Sequence, residues 1–298
     1  MSKKALLIVN PVSGKMALRQ KIWQVAEMFC ADDIIPTVYF TQSRGDAFKA
    51  AQTAGEEFSL IVCAGGDGTL NEVIGGLLKN PFEHSLGYIP TGTTNDLANS
   101  LRLPKDVISA VKNIINGNTV KIDVGSFNDR TFNYIASFGV FTEASYSTPQ
   151  EVKNAIGHAA YIIEGLKSLS NIRSYRVKFA FDEGKTVDGK FIFAAVSNTT
   201  SVGGVLKLNE NLVALNDGLL EVLLIKEPDN IGEVQKIISE VLTNKFSGDL
   251  VSLYHTKKVT VTTDEDFDWT LDGEYQKGEK EVVIKNLNQA VNFIVPKQ

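Results

Sequence analysis

The sequence predicts an α/β N-terminal domain, a Rossmann-like parallel sheet, joined to a β-rich, β-sandwich-like C-terminal domain. Three observations carry this expectation. Up to about residue 124, short apolar runs alternate with helical patterns, the sequence form of a parallel sheet with crossover helices. After Asp123 the texture changes to strands separated by turns. At 298 residues the chain is also long enough for two cores, since single cores stop growing near ~250 to 300 residues. The expected domains are residues 1–124, an α/β unit, and 125–298, a β-rich unit.

In the first domain the runs Ala5 to Val9, Pro36 to Phe40, Phe58 to Cys63, Leu86 to Pro90 and Val120 to Val124 read as strands. Helical stretches fall near Ala17 to Phe29, Asp46 to Ala54, Thr69 to Leu78, Asn95 to Leu101 and Lys105 to Asn116. In the second, strands are expected over Thr131 to Phe141, Tyr175 to Phe181, Lys190 to Val196, Gly218 to Lys226, Lys258 to Thr263, Glu281 to Ile284 and Gln289 to Val295. Helices near Glu151 to Ser168 and Ile231 to Lys245 interrupt them, and the final strand leaves little tail to return to the first domain.

Composition narrows the class. Charged residues at 22% and hydrophobic residues at 43% describe an ordinary globular chain. Residues 1–125 hold 12 Lys/Arg and 12 Asp/Glu, so the net charge of −5 belongs to the second part. That balance argues against a duplex nucleic-acid partner, which wants a basic face. Cys30 and Cys63 lie far apart in helical and strand patterns and give no disulfide framework. The run Ala5 to Val9 is too short for a signal-peptide core, and no apolar run is long enough to span a bilayer. A cytoplasmic location is expected. His84, His158 and His255 form no metal-ligand spacing, and no Gly-x-Ser-x-Gly elbow is present.

Four segments at strand ends carry chemistry. Ala64-Gly65-Gly66-Asp67-Gly68-Thr69-Leu70-Asn71-Glu72 follows an apolar strand and leads into a helix. Glycines there let the backbone approach an anion closely, and the helix start supplies unpaired N–H groups. A carboxylate beside phosphates is repulsive, so Asp67 must hold Mg2+ or accept a hydrogen bond from the nucleotide or a neighbouring loop. Asn10-Pro11-Val12-Ser13-Gly14-Lys15 follows the first strand without the Walker spacing; Asn10, Ser13 and the backbone near Gly14 can reach a nucleotide, or Ser13 simply caps a helix. Thr41 stands nearest the end of the second strand, with Ser43 suited to capping. Pro90-Thr91-Gly92-Thr93-Thr94-Asn95-Asp96-Leu97-Ala98 follows the fourth. In a parallel sheet these loops open on one edge, where such folds bind ligands.

Asn10-Pro11-x-Ser13-Gly14, Gly65-Gly66-Asp67-Gly68-Thr69 with Asn71-Glu72, and Gly92-Thr93-x-Asn95-Asp96-Leu97-Ala98 together resemble the diacylglycerol kinase catalytic family, the soluble bacterial lipid kinases. The glycine-rich motif alone is shared with NAD kinases; the combination, extending over nearly the whole chain, is what resembles the lipid kinases. The resemblance implies ATP held by Asn10, Pro11, Val12, Ser13 and Gly14, by Thr41, by Gly65, Gly66, Asp67, Gly68, Thr69, Leu70 and Asn71, and by Thr93. Asp96 is expected to cap its helix or brace a hinge rather than touch metal. It further implies Mg2+ held by Asp217 with the carbonyls of Ala214 and Leu219, and Asp123 organising the Mg2+ network, with capping of a domain-boundary turn as the alternative for Asp123. The family's frequent Pro-x-Ala before Asp217-Gly218 is replaced by Leu212-Val213-Ala214, which leaves the carbonyl ligands open. Thr270-Leu271-Asp272-Gly273-Glu274 matches the family's catalytic loop; Glu274 is the first choice for general base and Asp272 the second.

The implied activity is ATP- and Mg2+-dependent transfer of the γ-phosphoryl group to a lipid hydroxyl, first of all diacylglycerol to phosphatidic acid. Two rivals stand beside it: a kinase for a soluble acceptor such as NAD, and a non-catalytic nucleotide or lipid sensor. A membrane substrate without a spanning helix requires peripheral contact at the inner membrane surface. Lys15, Arg19, Lys21, Lys153 and Lys167 are the basic candidates, which read first as a solvated helix face, and Phe138 to Phe141 or Tyr161 to Leu166 the apolar ones, at least as readily read as core. A symmetric homodimer is the commonest oligomer for a soluble chain of this kind.

Overall fold

The computed structural model describes residues 3–14, 17–140, 173–199, 201–202, 206–207 and 214–297. The expected helix from Glu151 to Ser168, and Lys15, Phe141, Lys153, Lys167 and Tyr161 to Leu166, lie outside them. The chain divides into two compact units, Met1–Asp123 with Gln289–Gln298, and Val124–Asn288.

In the first unit β1 (Lys3–Val9), β2 (Ile34–Phe40), β3 (Phe58–Gly65) and β4 (Ser85–Pro90) alternate with α1 (Ala17–Ala31), α2 (Asp46–Gln52), α3 (Asp67–Leu77), α4 (Asp96–Ser100) and α5 (Val107–Asn116). All strand pairs are parallel, in the order β2-β1-β3-β4. The inner strands β1, β3 and β4 are largely buried and read as apolar runs, while β2, at the sheet edge, leaves Ile35, Tyr39 and Phe40 exposed. Ala5, Leu7, Val9, Leu60, Val62 and Ala64 meet Leu18, Val25 and Phe29 of α1 and Val111 and Ile114 of α5 in one core. Helix α5 is N-capped by Asp106, whose carboxylate accepts the Ser109 N–H.

The C-terminal strand corrects the expectation that little tail is left to return to the first domain. β5 (Asn118–Phe127) pairs with β6 (Arg130–Phe132), and Asn292 and Phe293 run parallel to Ser85 and Leu86 of β4. The C-terminal tail therefore returns to the first unit, where Ile294 joins the core beside α5. Burial of Phe293 and Ile294 fixes this placement, which position along the chain conceals.

The second unit contains β7 (Ile135–Gly139), β8 (Tyr175–Phe181), β9 (Thr186–Ser197), β10 (Ser201–Val202), β11 (Leu206–Lys207), β12 (Leu220–Lys226), α6 (Ile231–Thr243), β13 (Val251–Thr256), β14 (Lys258–Thr263), β15 (Trp269–Leu271), β16 (Glu274–Gln276) and β17 (Glu281–Val295), whose last residues belong to the first unit. Their pairings within the unit are antiparallel, with β9 bonded to β7, β8 and β12. Alternation sorts the side chains of β12: Leu220, Val222 and Leu224 enter an aromatic core with Phe138, Phe179 and Trp269, while Leu223 and Ile225 pack with Ile237 and Val241 of α6. The expected strand Thr131 to Phe141 is broken in two at Asn133 and Tyr134, and that break serves the site described next.

Candidate active site

The strand order brings the carboxyl ends of β1, β2, β3 and β4 to one edge of the first unit. Gly66, extended at φ −91°, is the N-cap of α3 and brings no capping side chain. The first helical bond is Leu70 N–H to Gly66 C=O at 3.0 Å, so the amides of Asp67, Gly68 and Thr69 precede the helical ladder. Amides in that position, at the positive end of the helix dipole, are suited to an anion.

Other loops close around this helix start. Asn10 Nδ2 donates to Thr69 Oγ1 at 3.0 Å, while Asn10 Oδ1 accepts the Val12 N–H. Thr91 Oγ1 and Ser13 Oγ are 3.0 Å apart. Gly14 has φ +65°, and a Cβ there would stand 2.1 Å from the Thr91 carbonyl oxygen. A Cβ on Gly92 would meet Gly66 Cα at 2.6 Å, so loops 10–14, 65–69 and 91–95 touch backbone to backbone. A cavity of about 320 Å3, walled by Val9, Leu18, Ile22 and Phe40 with Asn10 and Ser13, opens beside the first loop.

Asp67 turns to its neighbour loop. Its carboxylate accepts the N–H of Asn95 at 2.8 Å and of Asp96 at 3.0 Å. Burial pushes its pKa above the ordinary value, against the pull of these amide donors. Asn95, a buried residue at φ 52°, is held further by the Gly92 N–H to its Oδ1, with the Tyr88 hydroxyl 3.1 Å from the same oxygen. Burial likewise raises the Cys63 thiol, which lies wholly inside β3.

The other expected nucleotide contacts are distributed unevenly. Thr41 donates its N–H to Val9 C=O at 2.9 Å, and Thr93, Pro11 and Val12 are exposed. Asn71 is half-buried on α3. Leu70 is fully buried, with its amide in the helical ladder, so its side chain faces core rather than ligand. Asp123, buried, accepts the Gln289 N–H at 2.6 Å, the boundary-turn role held as its alternative.

In the second unit Asp217 Oδ1 accepts the Leu219 N–H at 2.9 Å in a tight turn completed by Gly218 at φ +80°. The Leu219 carbonyl accepts Asn286 Nδ2 at 2.8 Å, and Ala214 is exposed. Asp217 and Asp123 belong to different units. Among the described residues no three His, Cys, Asp or Glu cluster as a metal cage.

Asp272 and Gly273, at φ 50° and 82°, form the two-residue turn between β15 and β16, the Asp-Gly chemistry such hairpins favour. The Asp272 carboxylate accepts three main-chain N–H groups, from Asn133 at 2.6 Å, Tyr134 at 3.0 Å and Ile135 at 3.1 Å. Those donors are freed by the break between β6 and β7. No side-chain motif signals them, since they are amides 137 to 139 residues away. Glu274 has a side chain 45% exposed and lies 3.9 Å from Arg130. The two carboxylates thus differ: one is 9% exposed and bound to backbone, the other reaches solvent.

Of the basic docking candidates, Lys21 is bonded to Asp106 at 3.4 Å and Arg19 is exposed on α1. No helix among the described residues is long and apolar enough to cross a membrane.

Comparison with known proteins identifies the family. Residues 4–127 match the diacylglycerol kinase catalytic domain, and residues 135–295 match the YegS C-terminal NAD kinase beta sandwich-like domain. A diacylglycerol kinase of Bacillus subtilis (strain 168) is 35% identical over 299 residues, covering 99% of this chain and 97% of that protein. One from Staphylococcus epidermidis (strain ATCC 12228 / FDA PCI 1200) is 32% identical, covering 100% and 93%. A crystal structure from Bacillus anthracis str. Sterne, of a candidate diacylglycerol kinase, superposes with a TM-score of 0.82 at 25% identity, covering 98% of this chain and 95% of that one. The chain belongs to the diacylglycerol kinase family.

Proposed function

We propose that this protein transfers the γ-phosphoryl group of ATP to the hydroxyl of a lipid alcohol, diacylglycerol in the first place, giving phosphatidic acid and ADP. The observation that carries the reading is the start of α3, where three amides precede the helical ladder and loops 10–14 and 91–95 are bonded around them. The ATP phosphates belong against those amides, with Asn10, Ser13, Gly14, Thr69 and Thr93 around them. The diacylglycerol kinases of Bacillus subtilis and Staphylococcus epidermidis, similar along their whole length, support the acceptor class.

In the transfer the lipid oxygen forms a bond to the γ-phosphorus as the bond to the bridging oxygen breaks, and the hydroxyl proton passes to a carboxylate. The assignment of that base follows accessibility. Asp272 is committed to three backbone amides and acts by fixing the turn; Glu274, exposed and two residues on, takes the proton. In a loose phosphoryl-transfer transition state, positioning and charge neutralisation do most of the work. Mg2+, when bound, neutralises charge on the phosphates. The Asp217 carboxylate with the Ala214 and Leu219 carbonyls are hard oxygen donors that fit it, and Leu219 keeps a second lone pair beside its bond to Asn286.

Work at the inner membrane surface requires a docking face. Helix α1 presents Arg19 and Trp23, the latter 81% exposed, and a tryptophan of that kind suits the interface between water and lipid. The test is incubation with ATP, Mg2+ and a panel of lipid alcohols, NAD included, with products identified by mass spectrometry. Phosphorylated diacylglycerol is the expected product; phosphorylation of NAD alone, or of nothing, overturns the proposal.

A further inference from the structure

We propose that Glu72, on α3, is a positioning residue for the nucleotide, acting through the loop that carries Thr41. The inference rests on the ATP site proposed above. Loop 41–46 is a closed unit. The Asp46 carboxylate accepts the N–H of Gln42 at 2.7 Å and of Ser43 at 2.9 Å, and the Asp46 N–H returns to Ser43 C=O at 3.3 Å. Those amide donors, Gln42 first, also hold the Asp46 carboxyl below its ordinary pKa. A unit closed on itself needs outside anchors to have a position.

Two are present. At one end Thr41 N–H donates to Val9 C=O at 2.9 Å, which continues the pairing of β2 with β1. At the other end Gly45 N–H donates to Glu72 Oε1 at 2.8 Å, across 27 residues of chain. Gly45 is at φ 86°, in the left-handed region, with nothing within 4 Å of where a Cβ would stand. Its conformation turns the N–H toward α3, and Glu72 is the acceptor. One turn further along α3, a Cβ on Gly76 would lie 2.3 Å from Phe48 C=O, so α2 and α3 meet there backbone to backbone. With the Gly76 contact as pivot, the Glu72 bond sets where the start of α2, and with it the Thr41 loop, comes to rest.

The acidic residues of α3 therefore divide the work: Asp67 holds loop 91–96 on one side and Glu72 holds loop 41–45 on the other. Asn10, through Thr69, ties in the first loop. A helix whose first amides face the phosphates also fixes the loops that surround them.

The test compares wild type, Glu72→Gln, which keeps an acceptor oxygen, Glu72→Ala, which removes it, and Glu72→Asp, one methylene too short, as the second variant should the alanine form not fold. ATP binding is measured by titration calorimetry, turnover by steady-state kinetics, and the Gly45 amide by hydrogen exchange. The expected result for Glu72→Ala or Glu72→Asp is a Kd and KM for ATP raised about tenfold, with kcat within about twofold, the lipid KM unchanged and the Gly45 amide deprotected. Glu72→Gln should stay within about threefold of wild type in ATP affinity. Unchanged ATP affinity in folded Glu72→Ala, a Gly45 amide still protected, or failure of glutamine to rescue overturns the inference while leaving the ATP site standing. Absence of ATP binding by wild type overturns both.

Discussion

Asp272→Asn and Glu274→Gln are predicted to separate stability from catalysis at positions two residues apart. Asparagine tolerates the left-handed conformation that Asp272 holds at φ 50°, so the turn survives the exchange. With its oxygen toward Tyr134 and Ile135, the amide keeps two of the three bonds and turns an NH2 on the Asn133 N–H. One charge-assisted bond worth about 1.5 to 3 kcal/mol is lost and the other two weaken, for a total near ~3 kcal/mol. In a unit of this size each kcal/mol is about 2 to 4 °C, so the unfolding midpoint should fall by roughly 6 to 12 °C. Glu274 stands in an exposed pair with Arg130 at 3.9 Å, an interaction worth at most about 1 kcal/mol. Glu274→Gln should therefore keep its midpoint within a few degrees and lose roughly 100-fold to 10,000-fold in kcat. Calorimetry and radiolabel transfer on the same preparations read both. An unaltered midpoint in Asp272→Asn, or an active Glu274→Gln, refutes the division of labour.

Other outcomes follow from the first unit and the Asp217 turn. The folded pKa of Asp67 is raised above 3.8 by burial, so its protonated form favours the fold: that stability is full below pH 3.8 and is lost as pH rises through the folded value. Wild type should gain stability relative to Asp67→Asn as pH falls from neutral toward 3.8, measured by denaturant titration; the opposite trend contradicts the assignment. Gly14→Ala must accept φ +65° and a methyl 2.1 Å from Thr91 O, and should cost about 2 kcal/mol or more and raise the ATP KM. Asp217→Asn keeps an oxygen for the Leu219 N–H, so thermal unfolding should be unchanged while the Mg2+ concentration for half-maximal rate rises about tenfold. An unchanged Mg2+ requirement removes Asp217 from the site.

The first unit was legible because its signals are local. The strand Phe58–Gly65 is apolar and buried from Leu60 onward, as a strand covered on both faces must be, and it runs into glycines and a hydroxyl at its carboxyl end. The second unit was less so. Strand Val251–Thr256 lies on a sheet edge with Leu253 and Tyr254 half-buried and His255 exposed, and Trp269–Leu271 and Glu274–Gln276 are three residues each, too short for periodicity to register. β17 absorbs two expected strands into one, because Asn286 to Asn288 continue the strand through a stretch, Asn-Leu-Asn, that carries no strand signal of its own.

The candidate site divides along the same line. That Asp67 must answer to a neighbouring loop, to a nucleotide or to Mg2+ was deducible from a carboxylate in a glycine-rich turn at a strand end, and the loop is what it bonds in this structure. That Asp272 holds three amides was not, since main-chain donors leave no trace in side-chain identity. Asp217, Asp123 and Asp272 each satisfy backbone amides at a turn, as the plain structural readings required.

The measurement that bears most directly on the central claim is a competition for the γ-phosphoryl group. Purified protein, γ-labelled ATP and Mg2+ are mixed with diacylglycerol in anionic vesicles and NAD in the same vessel, and the label is partitioned between organic and aqueous phases. The account predicts label in phosphatidic acid, ADP released in equal amount, and loss of both with Glu274→Gln. Label in the phosphorylated dinucleotide, or bound ATP that is never turned over, would contradict it.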